Sequence, residues 1–292
     1  MEWPGAVNGL RIFLRDIRIE HTLFALPFAY TGAVFAAHGM PTWWQLVWIT
    51  LAVLGARTAA MAANRYFDRD IDAKNPRTAR RALASGTLAP QVMIAAIVIG
   101  FLLLLVSAWQ LNPLCVKLMP IAIVGVLFYP LCKRFTWMAH FVLGAVDGLA
   151  PLGAFIGVAN GVGLPAFLLF FAVTLWVAGF DIFYALMDYE IDQAQGVNSL
   201  LTQFGEKIAT WLPFMLHGLM LILLALAGSF APTSALYALG PAATIALILY
   251  EWRAFTRSPN YFVLNERIFN ANMIFSVVFL ATTLAGFLVH TP

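Results

Sequence analysis

The sequence predicts an all-α integral membrane protein with nine transmembrane helices, and three observations lead there. Hydrophobic residues make up 62% of the 292-residue chain, charged residues only 11%, and mean hydropathy is +0.84. That leaves too little polar surface to cover a water-soluble domain. Apolar segments close to the ~20 residues that a helix needs to cross the hydrocarbon core recur along the chain. Lys and Arg fall almost wholly between alternate segments. Backbone groups must be satisfied internally in lipid, so long apolar runs without strand alternation argue for helices over a barrel.

In chain order, the segments lie near 22–37, 43–63, 92–111, 114–130, 137–159, 164–187, 208–228, 234–252 and 268–289. Ahead of them, Arg11, Arg15 and Arg18 are scattered among Asp16 and Glu20, with no small-residue cleavage site after a short apolar core. This does not read as a cleaved signal. Linkers are short and no low-complexity tract interrupts the pattern, so residues 1–292 are expected to form a single membrane domain. Cys115 and Cys132 form no CxxC motif and no disulfide framework.

If the helices alternate in direction, the N-terminus and the loops after the second, fourth, sixth and eighth share one side. That side holds 15 of the 17 Lys and Arg residues, leaving Lys117 opposite and Arg57 inside a helix. The positive-inside rule then predicts a multi-pass inner-membrane (plasma-membrane) protein with a cytoplasmic N-terminus and an external C-terminus. The net charge of +3 favours anionic lipid or an anionic substrate. No basic and aromatic interleaving suggests nucleic acid.

The acids concentrate on the same side. In "NRYFDRDIDAKNPRT", residues 64 to 78, Asn64, Asp68 and Asp72 are spaced by four and line one helical face, while Asp70 points away. In "DIFYALMDYEID", Asp181, Asp188 and Asp192 are spaced by seven and four, predicting a second stripe with Glu190 on the far side. Apart from Asp147, all other acids are expected in cytoplasmic segments or the last turns of helices entering them. Clustered carboxylates at a membrane boundary repel unless a cation neutralises them. Hard Asp and Asn oxygens suit Mg²⁺, which prefers a few carboxylates together with water and substrate phosphate. A phosphorylated substrate is therefore expected. The bland alternative, a solvated helix end with i,i+4 ion pairs, explains one cluster but not two.

These residues resemble a family. N-x-x-x-D-x-x-x-D followed by "NPRT", and D-x-x-x-D after the sixth segment, are similar to the paired signatures of the UbiA superfamily of intramembrane prenyltransferases. The likeness extends through "RIEHTLFALPFAY", "YPLCKRFT" and "LTQFG". It implies a UbiA-type bundle around a central cavity open to the cytoplasm. It also implies Mg²⁺-dependent transfer from a polyprenyl diphosphate to a small hydroxylated aromatic acid, with Mg²⁺ held by Asn64, Asp68, Asp72, Asp188 and Asp192. Asp68 and Asp188 would be essential to catalysis. Tyr189 and Glu190 make the second motif look closer to the branch that prenylates 1,4-dihydroxy-6-naphthoate than to the 4-hydroxybenzoate enzymes. Homogentisate, haem or chlorophyllide acceptors are the alternatives.

Beside that likeness, several residues take candidate roles. Arg77, Arg81, Lys133 and Arg134 lie in loops able to fold over the metal site and clamp diphosphate oxygens, with Arg18 near the same mouth. Pro76 ends the acidic helix so that the loop can turn back as a lid. Tyr66, Phe67, Phe183 and Tyr184 are candidates for aromatic walls that shelter an allylic cation, although helix packing explains any one of them as well. Asp181, deeper than the metal pair, is a candidate to orient or deprotonate the acceptor phenol. Arg57 precedes Asn64 by seven residues and lies two turns deeper on its face. It would hold the acceptor carboxylate with Asp147 tuning the pocket, or else pair with Asp147 structurally. A secondary transporter would instead carry polar residues at mid-membrane in several helices.

Overall fold

The computed structural model describes residues 6–17 and 22–289, and among them all regular structure is helical. A short helix α1 (Ala6–Asp16) precedes nine apolar ones. Eight of the nine are long and apolar enough to span a bilayer: α3 (Trp43–Asp72), α4 (Pro90–Leu111), α5 (Pro113–Cys132), α6 (Ala139–Ala159), α7 (Leu164–Ala185), α10 (Leu212–Ser229), α11 (Leu239–Arg257) and α12 (Tyr261–Leu288). The ninth, α2 (Thr22–Ala37), is shorter. Two short helices, α8 (Tyr189–Gln195) and α9 (Leu200–Phe204), sit between α7 and α10.

Local sequence explains the ends. Thr42 and Gln45 form a capping box that starts α3, satisfying two orphan backbone donors. Asn112 closes α4 and opens α5, its side chain accepting from Cys115 N while Nδ2 donates to the carbonyls of Ile156 and Gly157. The 30 residues of α3 extend roughly 45 Å at 1.5 Å per residue, well beyond a hydrocarbon core of ~30 Å. Its last turns, with Asp68 and Asp72, therefore project past the apolar layer.

Sequential helices pack side by side from α2 to α7, then α10, α11 and α12, and α12 returns to α2 to close a ring. Small residues allow close approach. At the α3–α4 crossing, a Cβ added at Gly55 would lie 2.6 Å from the Gly100 carbonyl oxygen, and one at Gly100 would lie 2.6 Å from that of Gly55. The outward faces carry exposed Val98, Ile99, Leu102, Val106, Val124 and Phe128, which face lipid in a spanning bundle.

The C-terminal half contains a polar cluster that sequence position alone concealed. Glu251, expected near a cytoplasmic helix end, is wholly buried. His217 Nδ1 lies 2.7 Å from Glu251 Oε2, Asn272 Nδ2 donates to Glu251 Oε1 at 2.8 Å, and Trp176 Nε1 donates to Asn272 Oδ1 at 2.5 Å. Helices α7, α10, α11 and α12 are thereby joined around a carboxylate with both oxygens satisfied. The Trp176 ring in turn stacks on Phe24 with centroids 4.6 Å apart, tying α2 to the same core.

Candidate active site

The ends of α3, α5 and α7 and the start of α12 surround one cavity of about 1180 Å³. Asn64, Asp68 and Asp72 all line it, as four-residue spacing on a continuous helix requires. Asn64 Nδ2 donates to Asp68 Oδ2 at 2.8 Å. Asp68 and Asp72 are almost fully buried, and Asp68 Oδ1 has no hydrogen-bond partner among the described residues.

The second acidic set reaches the cavity differently from the expected stripe. Helix α7 ends at Ala185, a turn follows, and Asp188 is the N-cap of the separate helix α8. Asp181, Asp188 and Asp192 still share the cavity, but a three-residue turn with i→i−3 hydrogen bonds separates the first from the other two, so they do not lie on one continuous α-helical face. Glu190 is exposed, as expected.

Loop cations meet these carboxylates in pairs. Lys133 Nζ lies 2.5 Å from Asp68 Oδ2. Arg81 Nη1 reaches both oxygens of Asp72, at 2.8 and 2.7 Å. Arg77 forks onto Asp188, with Nε donating to Oδ1 at 2.8 Å and Nη2 to Oδ2. The loop after α3 turns back over the cavity, as expected from Pro76, and is pinned where Asp16 Oδ1 accepts from Ala82 N at 2.8 Å.

The electrostatics separate the two acids of α8. Burial opposes ionisation of Asp188, but the hydrogen bond and charge of Arg77, with a hydrogen bond from Asn75, hold its carboxyl below the usual range. Arg77 is raised in return despite its own burial. Burial and the neighbouring Asp188 push Asp192 up to about 6.

The donor set tests well against Mg²⁺. Asn64, Asp68, Asp72, Asp188 and Asp192 are all hard oxygen donors on one cavity, and Asp68 Oδ1 is buried without a partner. Among the described residues, no three His, Cys, Asp or Glu side chains converge as a closed metal cage. Mg²⁺ does not require one, because it keeps water and substrate oxygens in its shell.

Other expected residues fall elsewhere. Arg134 is exposed, does not line the cavity, and donates to the Phe67 carbonyl instead. Arg18 lies outside the described residues. Arg57 sits 3.6 Å from Asp147, and neither residue is on the cavity wall. Of the four aromatic candidates only Tyr184 lines the cavity. Tyr66 packs beneath Arg69, Phe67 lies against Tyr66, and Phe183 is buried with Phe214 and Phe255. Tyr129, Phe262 and Phe269 supply aromatic lining in their place.

Several polar residues at the site went unread. Arg65, nearly buried, donates to Asn64 Oδ1 at 3.0 Å and to the Asp16 carbonyl at 3.2 Å. Asn75 Nδ2 donates to Asp188 Oδ1 at 2.8 Å. His140 Nδ1 lies 2.7 Å from Asp181 Oδ2. Asn265 lines the cavity, buried, with neither amide atom partnered among the described residues. Helical spacing marks two of these walls in the sequence: Tyr129 and Lys133 are four residues apart, and Phe262, Asn265, Glu266 and Phe269 fall on one face of α12, all of them lining the cavity.

The chain is similar in sequence and fold to known proteins. The family model described as the UbiA prenyltransferase family matches residues 25–261. A 4-hydroxybenzoate octaprenyltransferase of Alkalilimnicola ehrlichii is 34% identical over 220 residues, covering 75% of each chain. A UbiA homolog from Aeropyrum pernix K1 superposes with a TM-score of 0.82 at 30% identity, covering 91% of this chain and 98% of that one. A UbiA homolog from Archaeoglobus fulgidus, solved bound to GPP and Mg²⁺, has the same fold, with a TM-score of 0.70 at 21% identity and coverage of 94% and 98%. The matched region contains both acidic motifs and the three cations paired with them, and the chain belongs to the UbiA prenyltransferase family.

Proposed function

We propose that this prenyltransferase transfers a polyprenyl group from polyprenyl diphosphate to a ring carbon of a hydroxylated aromatic acid, using Mg²⁺ at the cavity mouth. The observation that carries the reading is the alternation of charge there: Asp68 with Lys133, Asp72 with Arg81, and Asp188 with Arg77. Carboxylates and forked cations interleaved on one wall match the two charge types of a magnesium diphosphate. Asn64, Asp68, Asp72, Asp188 and Asp192 would hold the metal, which when bound would supply positive charge for a diphosphate leaving group. Arg77, Arg81 and Lys133 bind its oxygens. Tyr129, Tyr184, Phe262 and Phe269 line the cavity, where aromatic faces exclude water and favour an allylic cation.

The name of the Alkalilimnicola relative supports an aromatic acid acceptor, and the ligands of the Archaeoglobus homolog support a prenyl diphosphate with Mg²⁺. We assign 4-hydroxybenzoate or 1,4-dihydroxy-6-naphthoate as acceptor, placing the enzyme in ubiquinone or menaquinone synthesis. The concentration of Lys and Arg between alternate apolar segments of the sequence, with Arg77, Arg81 and Lys133 lining the cavity, supports a mouth that faces the cytoplasm.

The test is to assay purified protein with both acceptors side by side, then repeat with Asp68→Asn, Asp188→Asn and excess EDTA. Each variant, and EDTA, should abolish turnover while the protein stays folded. Substantial activity in both variants, or in EDTA, would remove the mechanism. Preference for homogentisate or a porphyrin would displace the acceptor assignment.

A further inference from the structure

We propose that His140 and Asp181 form a proton-accepting dyad for the acceptor hydroxyl, with His140 as the catalytic residue and Asp181 as its positioning partner. This rests on the function proposed above and reassigns the acceptor-side role from Asp181 to the imidazole. His140 stands near the start of α6 and Asp181 near the end of α7, and both line the cavity. The Nδ1–Oδ2 distance is 2.7 Å. A carboxylate on Nδ1 fixes the tautomer, leaving the proton there and the lone pair on Nε2. His140 is 5% exposed, and Nε2 is buried without a hydrogen-bond partner among the described residues. A buried acceptor atom on a ligand cavity, with its tautomer set by a carboxylate, is prepared to receive an O–H.

Packing alone does not account for the pair. Helices α6 and α7 already meet through Gly144, whose backbone lies against Thr174, and Gly148, against Phe170. Asp181 belongs to the apolar helix α7, whereas Asp188 caps α8 beyond its end, so the dyad lies on the apolar side of the second acidic pair, and all of them share one cavity.

The step balances as follows. The acceptor O–H bond breaks and its proton moves to His140 Nε2. Its electron pair flows through the ring to the ortho carbon, which bonds to C1 of the prenyl group as the C1–O bond breaks and that pair leaves with diphosphate. A neutral cyclohexadienone results, still carrying hydrogen at the new carbon–carbon junction. That hydrogen leaves as a proton to the released diphosphate, and the Nε2 proton returns to the ring oxygen. Prenylated phenol and the diphosphate carrying that proton remain, and the imidazole is again neutral.

The experiment compares wild type, His140→Gln and Asp181→Asn in detergent with 4-hydroxybenzoate, 3-fluoro-4-hydroxybenzoate and 1,4-dihydroxy-6-naphthoate, alongside Mg²⁺-dependent binding of geranyl diphosphate. His140→Gln should lower kcat about 100-fold with donor affinity within twofold. Its deficit relative to wild type should shrink several-fold for the fluorinated acceptor, whose hydroxyl ionises more readily. Asp181→Asn should show the same dependence on acceptor acidity with a smaller loss. It keeps the imidazole and so carries the test if His140→Gln does not fold. Equal deficits across the acceptors, or wild-type kcat in either variant, would overturn the dyad alone. A wild type that binds donor with Mg²⁺ yet prenylates none of these phenols would overturn the parent reading and the dyad with it.

Discussion

Lys133 Nζ lies 2.5 Å from Asp68 Oδ2, while the other oxygen of that carboxylate is buried and unpaired among the described residues. One lysine thus offsets a nearly buried charge that the proposed metal would also neutralise. Lys133→Met should destabilise metal-free protein by about 1–3 kcal/mol and weaken donor binding, yet tighten Mg²⁺ binding by removing a competing cation. Thermal unfolding in detergent with and without Mg²⁺ checks this: the metal-induced stabilisation should be larger in the variant. An equal or smaller shift would show that Lys133 and the metal do not share Asp68.

Asp192, raised to about 6 by burial and by Asp188, predicts a pH dependence. Above that value the group is ionised and able to bind metal; below it, a proton competes. Asp188 stays ionised because Arg77 holds its carboxyl low. Mg²⁺ affinity measured by calorimetry should fall about tenfold between pH 7.5 and 5. Asp192→Asn should bind more weakly at pH 7.5 and lose most of that slope.

Arg57 and Asp147 are each 20% exposed and 3.6 Å apart. Removing one leaves the other uncompensated inside the bundle, at about 2–4 kcal/mol. Arg57→Ala should therefore lower detergent stability, and adding Asp147→Asn should restore more than half of the loss. A sharply raised acceptor KM at unchanged stability would instead assign Arg57 to the acceptor carboxylate.

Gly55→Ala should push α3 from α4, since the added Cβ meets the Gly100 carbonyl oxygen, at about 1–3 kcal/mol. Because α3 carries Asn64, Asp68 and Asp72, Mg²⁺ affinity should weaken along with stability. Unchanged melting and metal binding would mean that the crossing tolerates the displacement.

What the sequence disclosed follows from which interactions are periodic. Asn64, Asp68 and Asp72 were legible because one unbroken helix converts a four-residue step into a shared face. Asp188 and Asp192 were legible as chemistry but not as geometry, because the turn between α7 and α8 replaces the expected stripe. Sidedness marked Arg77, Arg81 and Lys133 as loop cations, yet sidedness also admitted Arg134, which bonds a backbone carbonyl. Contacts between distant segments left no such trace. His140 gains significance only through Asp181, 41 residues away, and Glu251 is explained only when His217 and Asn272 converge on it from two other helices. For Phe183 and Tyr184, adjacent in sequence, a rotation of about 100° around the helix sends one into the core and the other to the cavity.

The Glu251 cluster also constrains how the chain is made. A lone α11 would leave Glu251 without its partners in the second half of the helix, at a cost below the roughly 2.5–3.5 kcal/mol of an acidic residue at a helix centre. His217 on the preceding helix can satisfy one oxygen of Glu251, but the other waits for Asn272 on α12. Synthesis order and membrane integration are therefore coupled: α10 and α11 partition together, and the acid is fully satisfied only after α12 emerges from the ribosome. We predict that in a chain truncated after Ser258 a cysteine introduced at Arg257 is labelled from both sides of the membrane, because α11 inserts in only part of the molecules, and that Glu251→Gln in the same truncated chain restores labelling from one side. Identical labelling of the two would separate biogenesis from this buried acid.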